Sequence, residues 1–407
     1  MSALTQPERP ARNAGRHALL VIALTVFLDL LGFGMVIPIL QLYARDLGVP
    51  WPRTGWLISA YSVMQLFFAP IWGRLSDRVG RRPVLLLSIF GSCASQVGYA
   101  LATTFPGLLV ARAITGICGA NIAAAQAYVA DITDERSRAG AMGVVGSALG
   151  LGFVFGPFIG GELARYSLRT PFLCAAALSG LNFVLAYFLV KEPTGHRHEA
   201  QVLTLRGLAQ VLSSPRLLAL MALYFTVTFG FSVMEGTLSP LCAVRFGYGR
   251  EQVGRLFALC GVVLIIVQGR LVKRLVPRTG ERPLVLTGVA LMGGGFALIA
   301  VATALKTLIV GMILMAAGSG LNNPSLTALL SKNAHGHQGG VLGVAQSLGS
   351  MGRILGPLLG TAVFVRGTDQ PFWLAALCMA LALPIAALSV KRRHAGPPEA
   401  LMTSDVL

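Results

Sequence analysis

The chain has 407 residues, 55% of them hydrophobic and 12% charged, with a mean hydropathy of +0.71. That balance supplies too little polar surface to coat a water-soluble core and leaves no room for a sizeable soluble domain. The net charge of +17 would suit a nucleic-acid partner, but the basic residues stand in short blocks between apolar stretches, on alternating sides of them, and so report membrane topology.

A membrane-crossing helix needs roughly 20 apolar residues. Stretches of that order are predicted near 17–43, 54–75, 83–104, 106–131, 138–165, 170–190, 216–243, 251–274, 283–304, 306–331, 338–365 and 369–390. The long Leu/Ala/Val/Gly runs lack the alternation of barrel strands, so an all-α membrane protein of twelve transmembrane helices is expected. The first stretch is too long for a signal h-region and reads as a span. Residues 191–215 are the most polar part of the chain and predict a linker between an N-terminal half, 1–190, and a C-terminal half, 216–407. Arg9, Arg12 and Arg16, the arginines after the second and fourth spans, those of the linker, the run Arg270–Arg282, and Lys391, Arg392 and Arg393 fall on one side. The loops Thr103–Gly107 and Thr303–Thr307 are nearly uncharged, so both termini and the linker are expected in the cytoplasm of a cell whose inner membrane holds the protein.

The two halves repeat. Gly143, Gly152, Gly156, Pro157 and Gly160 recur as Gly343, Gly352, Gly356, Pro357 and Gly360, each 200 residues later. A parallel duplication of six-helix units suits two bodies that rock about a central site.

Chemistry-bearing residues follow in chain order. Asp29 falls near the middle of the first span, where an acid costs about 2.5–3.5 kcal/mol, which calls for a proton or a partner. Arg112, in the fourth span, is its nearest candidate partner in kind. The second half has Glu235 and Arg353 in its seventh and eleventh spans; they either bridge one another or meet cargo and proton. Phe33, Tyr61, Gln65, Asn121, Gln126, Phe231, Asn322, Asn323 and Gln346 are candidate cavity lining. The segment Gly73-Arg74-Leu75-Ser76-Asp77-Arg78-Val79-Gly80-Arg81-Arg82-Pro83 joins the second and third spans: Gly80 permits a tight turn, Gly73 a close helix contact, and Asp77 can pair with Arg81. On the fifth span, Gly152, Gly156 and Pro157 allow close backbone approach and a bend.

That segment resembles the signature loop of the major facilitator superfamily. The glycines of the fifth span resemble the motif of its antiporters, and Phe27–Pro38 and Leu108–Gly116 resemble the helix-one and helix-four motifs of its drug:proton antiporters, above all the tetracycline exporters. The resemblance implies the major facilitator fold and a proton-coupled exporter of small amphipathic molecules. Asp29, Arg112 and Glu235 would serve proton coupling. Gly73, Asp77, Arg78, Gly80, Arg81, Arg82, Asp131, Gly152, Gly156 and Pro157 would serve gating, with Asp131 pairing with the loop arginine. Tetracycline exporters carry membrane acids in helices three and nine; the corresponding positions here are Gly98 and Met292, which speaks against a metal–tetracycline cargo. An importer or symporter of a metabolite, or a membrane sensor, of the same fold are the alternatives. No enzyme constellation, cofactor, metal site or nucleic-acid partner is expected, and His335 and His337 read as solvated. The expected partners are a small-molecule substrate, protons and the lipid bilayer, with the chain acting as a monomer.

Overall fold

A computed structural model describes residues 11–119, 121–133, 135–192, 214–334 and 338–390; the 193–213 part of the linker, His335, His337 and the side chain of Asn121 lie outside the described residues. Among the described residues the chain is helical throughout, without strands. The first half is α1 (Ala11–Asp46), α2 (Trp51–Val79), α3 (Arg81–Leu101), α4 (Phe105–Cys118), α5 (Asn121–Ile132), α6 (Glu135–Leu163) and α7 (Thr170–Leu189). The second is α8 (Pro215–Phe246), α9 (Arg250–Ile266), a π-helical turn (Val267–Leu271), α10 (Val272–Thr279), α11 (Glu281–Ala300), α12 (Leu305–Lys332), α13 (Gln338–Phe364) and α14 (Gln370–Val390).

Local chemistry sets these boundaries. Pro52, Pro106, Pro171 and Pro215 sit in first turns, where a missing N–H costs nothing. The hydroxyls of Thr104 and Ser214 accept from Gly107 N (3.3 Å) and Leu217 N (3.4 Å). Gly80 turns the chain between α2 and α3 with φ 114°, and Gly280 does the same before α11 with φ 76°. Among the described residues ten helical stretches are long and apolar enough to cross a membrane, one of them α9, the π-helical turn and α10 taken together; α4 is shorter, and α13 is not among the ten. The fourth predicted span is broken after Cys118: an added Cβ at Gly119 would stand 2.8 Å from Tyr61 Oη, and one at Gly116 2.5 Å from the Tyr61 carbonyl, so α2 presses on the chain where α4 ends.

The halves share one plan. α1 packs on α6, α2 on α4 and α3 on α7; in the second half α8 packs on α13, α9 on α12 and α11 on α14. Gly152, Gly156 and Gly160, with their repeats Gly352, Gly356 and Gly360, make the first of these contacts. An added Cβ at Gly156 would lie 2.7 Å from Gly34 Cα, and one at Gly356 2.9 Å from Phe229 O, so only a hydrogen lets the helices meet. α2 against α13 and α6 against α9 join the halves, as a two-fold relation requires.

Those junctions close one face of the bundle, the one opposite the start of α1. Gln41 donates to Gly236 O (2.7 Å), Ser59 to Ile354 O (2.6 Å), Ser239 to Pro38 O (3.2 Å) and Thr361 to Pro52 O (3.2 Å). Around this seam run ion pairs of Arg165 with Glu251 (3.2 Å), Arg255 with Glu162 (2.8 Å) and Arg250 with Asp46. The closed face is what leaves a cavity open toward the other, here called the terminal face because α1 begins there.

Candidate functional site: a charged cavity between the halves

A cavity of about 560 Å³ lies between the two halves. α1, α2 and α4 present Phe33, Tyr61, Gln65 and Arg112; α8 and α13 present Phe231, Glu235 and Arg353. With Asn323 of α12, eight sequence-predicted residues thus meet at one place. A second opening of about 560 Å³, with Gln268 and Asn323 on its wall as on that of the first, carries the space along α12 toward Ser331.

Arg112 is 1% exposed, and its environment explains how a guanidinium is held there. Its Nε donates to Leu57 O at 3.0 Å, and its Cζ stands 5.2 Å from the Phe33 ring and 5.0 Å from that of Tyr61. The two rings are 4.9 Å apart, so they form an aromatic seat for the cation. Its Nη1 has no hydrogen-bond partner, an orphaned donor beside the cavity. Phe33 and Tyr61 also form a wall of a smaller polar cavity that contains Asp29. Asp29 and Arg112 therefore lie on two connected spaces partitioned by the same rings. Tyr61 stands within the electrostatic reach of Arg112, Asp29, Arg353 and Glu235.

Arg353 donates to Ser350 Oγ at 2.8 Å, and no ion pair within 4.0 Å joins it to Glu235 among the described residues. Both line the cavity, with the fields of Arg112 and Arg353 reaching Glu235. The geometry thus leaves the Glu235 carboxylate facing open space.

Other expected lining residues fall elsewhere. Asn322 is fully buried, with its Nδ2 3.5 Å from Met292 Sδ and its amide pressed onto Gly288; it packs α12 against α11, while its neighbour Asn323 faces the cavity. One residue along a helix turns the side chain by about 100°, which separates the two amides. Gln126 is exposed on α5 and is not among the lining residues. Gln346 reaches the site at one remove, through the Tyr224 hydroxyl. Tyr224, Phe153, Gln268 and Ser319 line the cavity without having been singled out. Tyr224, Thr228, Phe231 and Glu235 follow at spacings of four, three and four, so the face carrying Glu235 was readable from helical period alone. Gln268 is placed by the π-helical turn, which a sequence does not announce.

At the terminal face the signature segment forms a compact network. Arg81 bonds Asp77 (2.8 Å), Asp131 (3.0 Å) and Ser76 Oγ (3.1 Å). Glu192, just beyond α7, accepts from the amides of Arg81 (2.7 Å) and Arg82 (2.9 Å), capping α3 with a carboxylate where the helix dipole favours one. Arg82 in turn bonds Tyr187 O (2.7 Å), while Arg78 is exposed. All these partners belong to the first half except Glu192, the second residue of the linker. Glu192 escaped the sequence reading because it lies 111 residues from Arg81. Nothing lies within 4 Å of an added Cβ at Gly73 or at Gly143, so neither makes the close helix contact expected of it; Gly152 does, against Leu30 and Phe27 O, and Pro157 packs on Gly34.

Two related six-helix halves, sealed at one face and parted by a charged cavity toward the other, define a membrane transporter. The chain belongs to the major facilitator superfamily, whose pattern it matches over residues 22–279 and 274–405. It is 36% identical to the class C tetracycline resistance protein of Escherichia coli over 87% of this chain and 91% of that one. It is 29% identical to multidrug resistance protein 2 of Bacillus subtilis (strain 168) over 91% and 94%. The crystal structure of the human organic anion transporter MFSD10 (TETRAN) superimposes with a TM-score of 0.69 at 27% identity, covering 93% of this chain and all of that one.

Proposed function

We propose that this transporter is a proton-coupled exporter of small amphipathic molecules, seated in the inner membrane with both termini in the cytoplasm. The observation that carries the reading is the shared aromatic partition: Phe33 and Tyr61 hold Arg112 at the substrate-sized cavity and wall off the space of Asp29. A change of charge on Asp29 is felt by the rings and by Arg112, and so by whatever occupies the cavity. In this orientation the conformation described is inward-facing. Aromatic walls and carboxylate Glu235 suit an amphipathic cation, which enters from the cytoplasm. The seam opposite must then open as the terminal face closes, with each half moving as a body. Protonation from outside and release inside reset the cycle. The relatives named for tetracycline and multidrug resistance support the outward direction, and Gly98 and Met292 argue against metal–tetracycline as cargo. Gly98 packs toward Ala111, and Met292 is fully buried against Asn322.

The test uses everted vesicles with an imposed pH gradient and the cationic dye Hoechst 33342. The protein should extrude dye in response to the gradient, and Asp29→Asn should abolish the response at unchanged expression. Gradient-driven dye flux persisting in Asp29→Asn would discard the proposal. A second reading rests on two arginines, Arg112 and Arg353, facing the cavity against the single Glu235: the cargo is then an amphipathic anion, and carboxyfluorescein replaces Hoechst as the transported dye.

A further inference from the structure

The residues that line the smaller cavity beside Asp29 are systematically replaced in the other half. Under the repeat, α3, α4 and α7 correspond to α11, the start of α12 and α14 with an offset of 200, as Pro171-Phe172 and Pro371-Phe372 illustrate. In α1 and α8 the match is Gly32 with Gly230. An added Cβ at Gly32 would meet Ser179 Oγ (3.7 Å) and Gln96 Nε2 (3.8 Å); one at Gly230 would meet Met379 Cε (2.8 Å) and Phe296 Cε2 (3.1 Å). The polar set Ser92, Gln96, Thr115 and Ser179 of the first half thus stands where the second has Met292, Phe296, Met315 and Met379. All four of the latter are fully buried in the second half's apolar core. Asp29 itself matches Val227, 1% exposed.

Shorter polar side chains leave the space that methionine and phenylalanine fill. The result is a cavity of about 50 Å³ within the first half, lined by Asp29, Ser92, Gln96, Thr115 and Ser179. A water needs about 10–15 Å³ measured in this way and two to four polar partners, and both conditions are met. Gln96 is 3% exposed, and its Oε1 has no hydrogen-bond partner within the protein. An orphaned amide oxygen buried to that extent calls for a donor. One turn beyond Ser179, Asn182 (1% exposed) donates to Thr25 O at 3.2 Å, with its Oδ1 likewise unpartnered; its match in the second half is Ala382.

We infer that this pocket is a built water site, in which ordered waters held by Gln96, Ser92, Thr115 and Ser179 solvate Asp29 and carry its proton, apart from the substrate cavity. The inference rests on the proposed proton coupling and deepens it: substrate and proton occupy separate chambers that communicate through Phe33 and Tyr61. Tyr61 from α2 and Cys118 from α4 stand in the field of Asp29, and Tyr61 in turn stands in those of Arg112, Arg353 and Glu235. A water that accepts the Asp29 proton becomes hydronium and passes its excess proton to solvent water at the open face, leaving Asp29 as carboxylate and the pocket water neutral, so charge and protons balance.

The experiment is infrared difference spectroscopy between high and low pH on the purified full-length protein in liposomes, which needs no substrate. A protonated-carboxyl band lost in Asp29→Asn identifies the group. Water O–H bands that shift in H₂¹⁸O and disappear together with that carboxyl band are expected in the unaltered protein. Ser179→Met and Gln96→Leu, which import the apolar character of the second half, should each change the proton affinity of the Asp29 band at least tenfold, with the proton held more tightly. An Asp29 band without ¹⁸O-sensitive partners, or one moved less than twofold by both variants, overturns the water site and leaves proton coupling standing. If no carboxyl band depends on Asp29, both readings fall. A tenfold shift on exchanging choline chloride for sodium chloride makes the pocket a sodium site and overturns the inference.

Discussion

Gly254→Ala tests whether the closed face is a working gate. Gly254 lies on α9, where that helix crosses α6 between the halves, and an added Cβ would stand 2.5 Å from Pro157 O and 2.9 Å from Gly161 Cα. Ordinary contact begins near 3.4 Å, so the helices must part by about 0.9 Å. The atoms met are backbone, which cannot turn aside as a side chain would. Overpacking of this kind costs about 1–3 kcal/mol. The cost falls only on the state in which this seam is shut, so the equilibrium between the two facing states should move about 5- to 150-fold toward opening there. Spin labels at Tyr166 and Val365, exposed positions on the first and second halves at this face, should report a longer-distance population absent from the unaltered protein. Gly146→Ala, on α6 with nothing within 4 Å of the new methyl group, is the comparison and should leave the distances alone. If Gly254→Ala gives the distances and thermal stability of the unaltered protein, the seam is too soft to act as a gate and the reasoning fails.

Two further outcomes are expected. Asn322→Leu should lower the melting temperature through loss of packing on Gly288 while leaving Hoechst 33342 affinity within about twofold, whereas Asn323→Leu should weaken dye affinity several-fold at unchanged stability; matching profiles for the two would show that the rotation between the amides has been misjudged. Arg112→Lys keeps a positive charge but loses the planar face set between Phe33 and Tyr61, so gradient-driven dye transport should fall at least tenfold, and full activity in the lysine variant would reduce the aromatic seat to packing.

The fold was readable in the sequence because lipid makes severe demands. Every backbone group inside the bilayer needs an internal partner, so an apolar run of sufficient length has no alternative to helix. Ten of the predicted spans fall on single helices, their ends differing by up to about six residues, and the fourth and eighth carry interruptions. Interruptions were less accessible. The break after Cys118 depends on Tyr61 of another helix, and the π-helical turn at Val267–Leu271 lies in an apolar run that looks continuous. Charged site residues announce themselves, since Asp29, Arg112, Glu235 and Arg353 have no inexpensive place in hydrocarbon except a protein interior or a water-filled space. Neutral polar residues carry no such mark. Asn322 and Asn323 are chemically identical and adjacent, and only the rotation of α12 assigns one to packing and the other to the cavity. Glu192 was hidden for another reason: its role depends on α7 ending beside the start of α3, a tertiary fact.

On the proposed proton coupling, the repeat explains how the coupling chemistry can live in one half. Two copies of one six-helix plan give two equivalent places behind Gly32 and Gly230, and each can be filled with apolar side chains or hollowed with polar ones. A dry, methionine-packed second copy resists deformation, because close-packed apolar surfaces have no alternative partners to move to. A polar copy with water does have alternatives, since hydrogen bonds to solvent can be exchanged at little cost when a nearby carboxylate changes charge. The half that carries Asp29 is also the half whose helix four is interrupted at Gly119, on the wall of the same small cavity. In the second half the matching stretch runs unbroken through Ser319 in α12. If Asp29 carries the proton as proposed, the α4–α5 interruption on the wall of its cavity is where a change of its charge would meet the backbone of the first half.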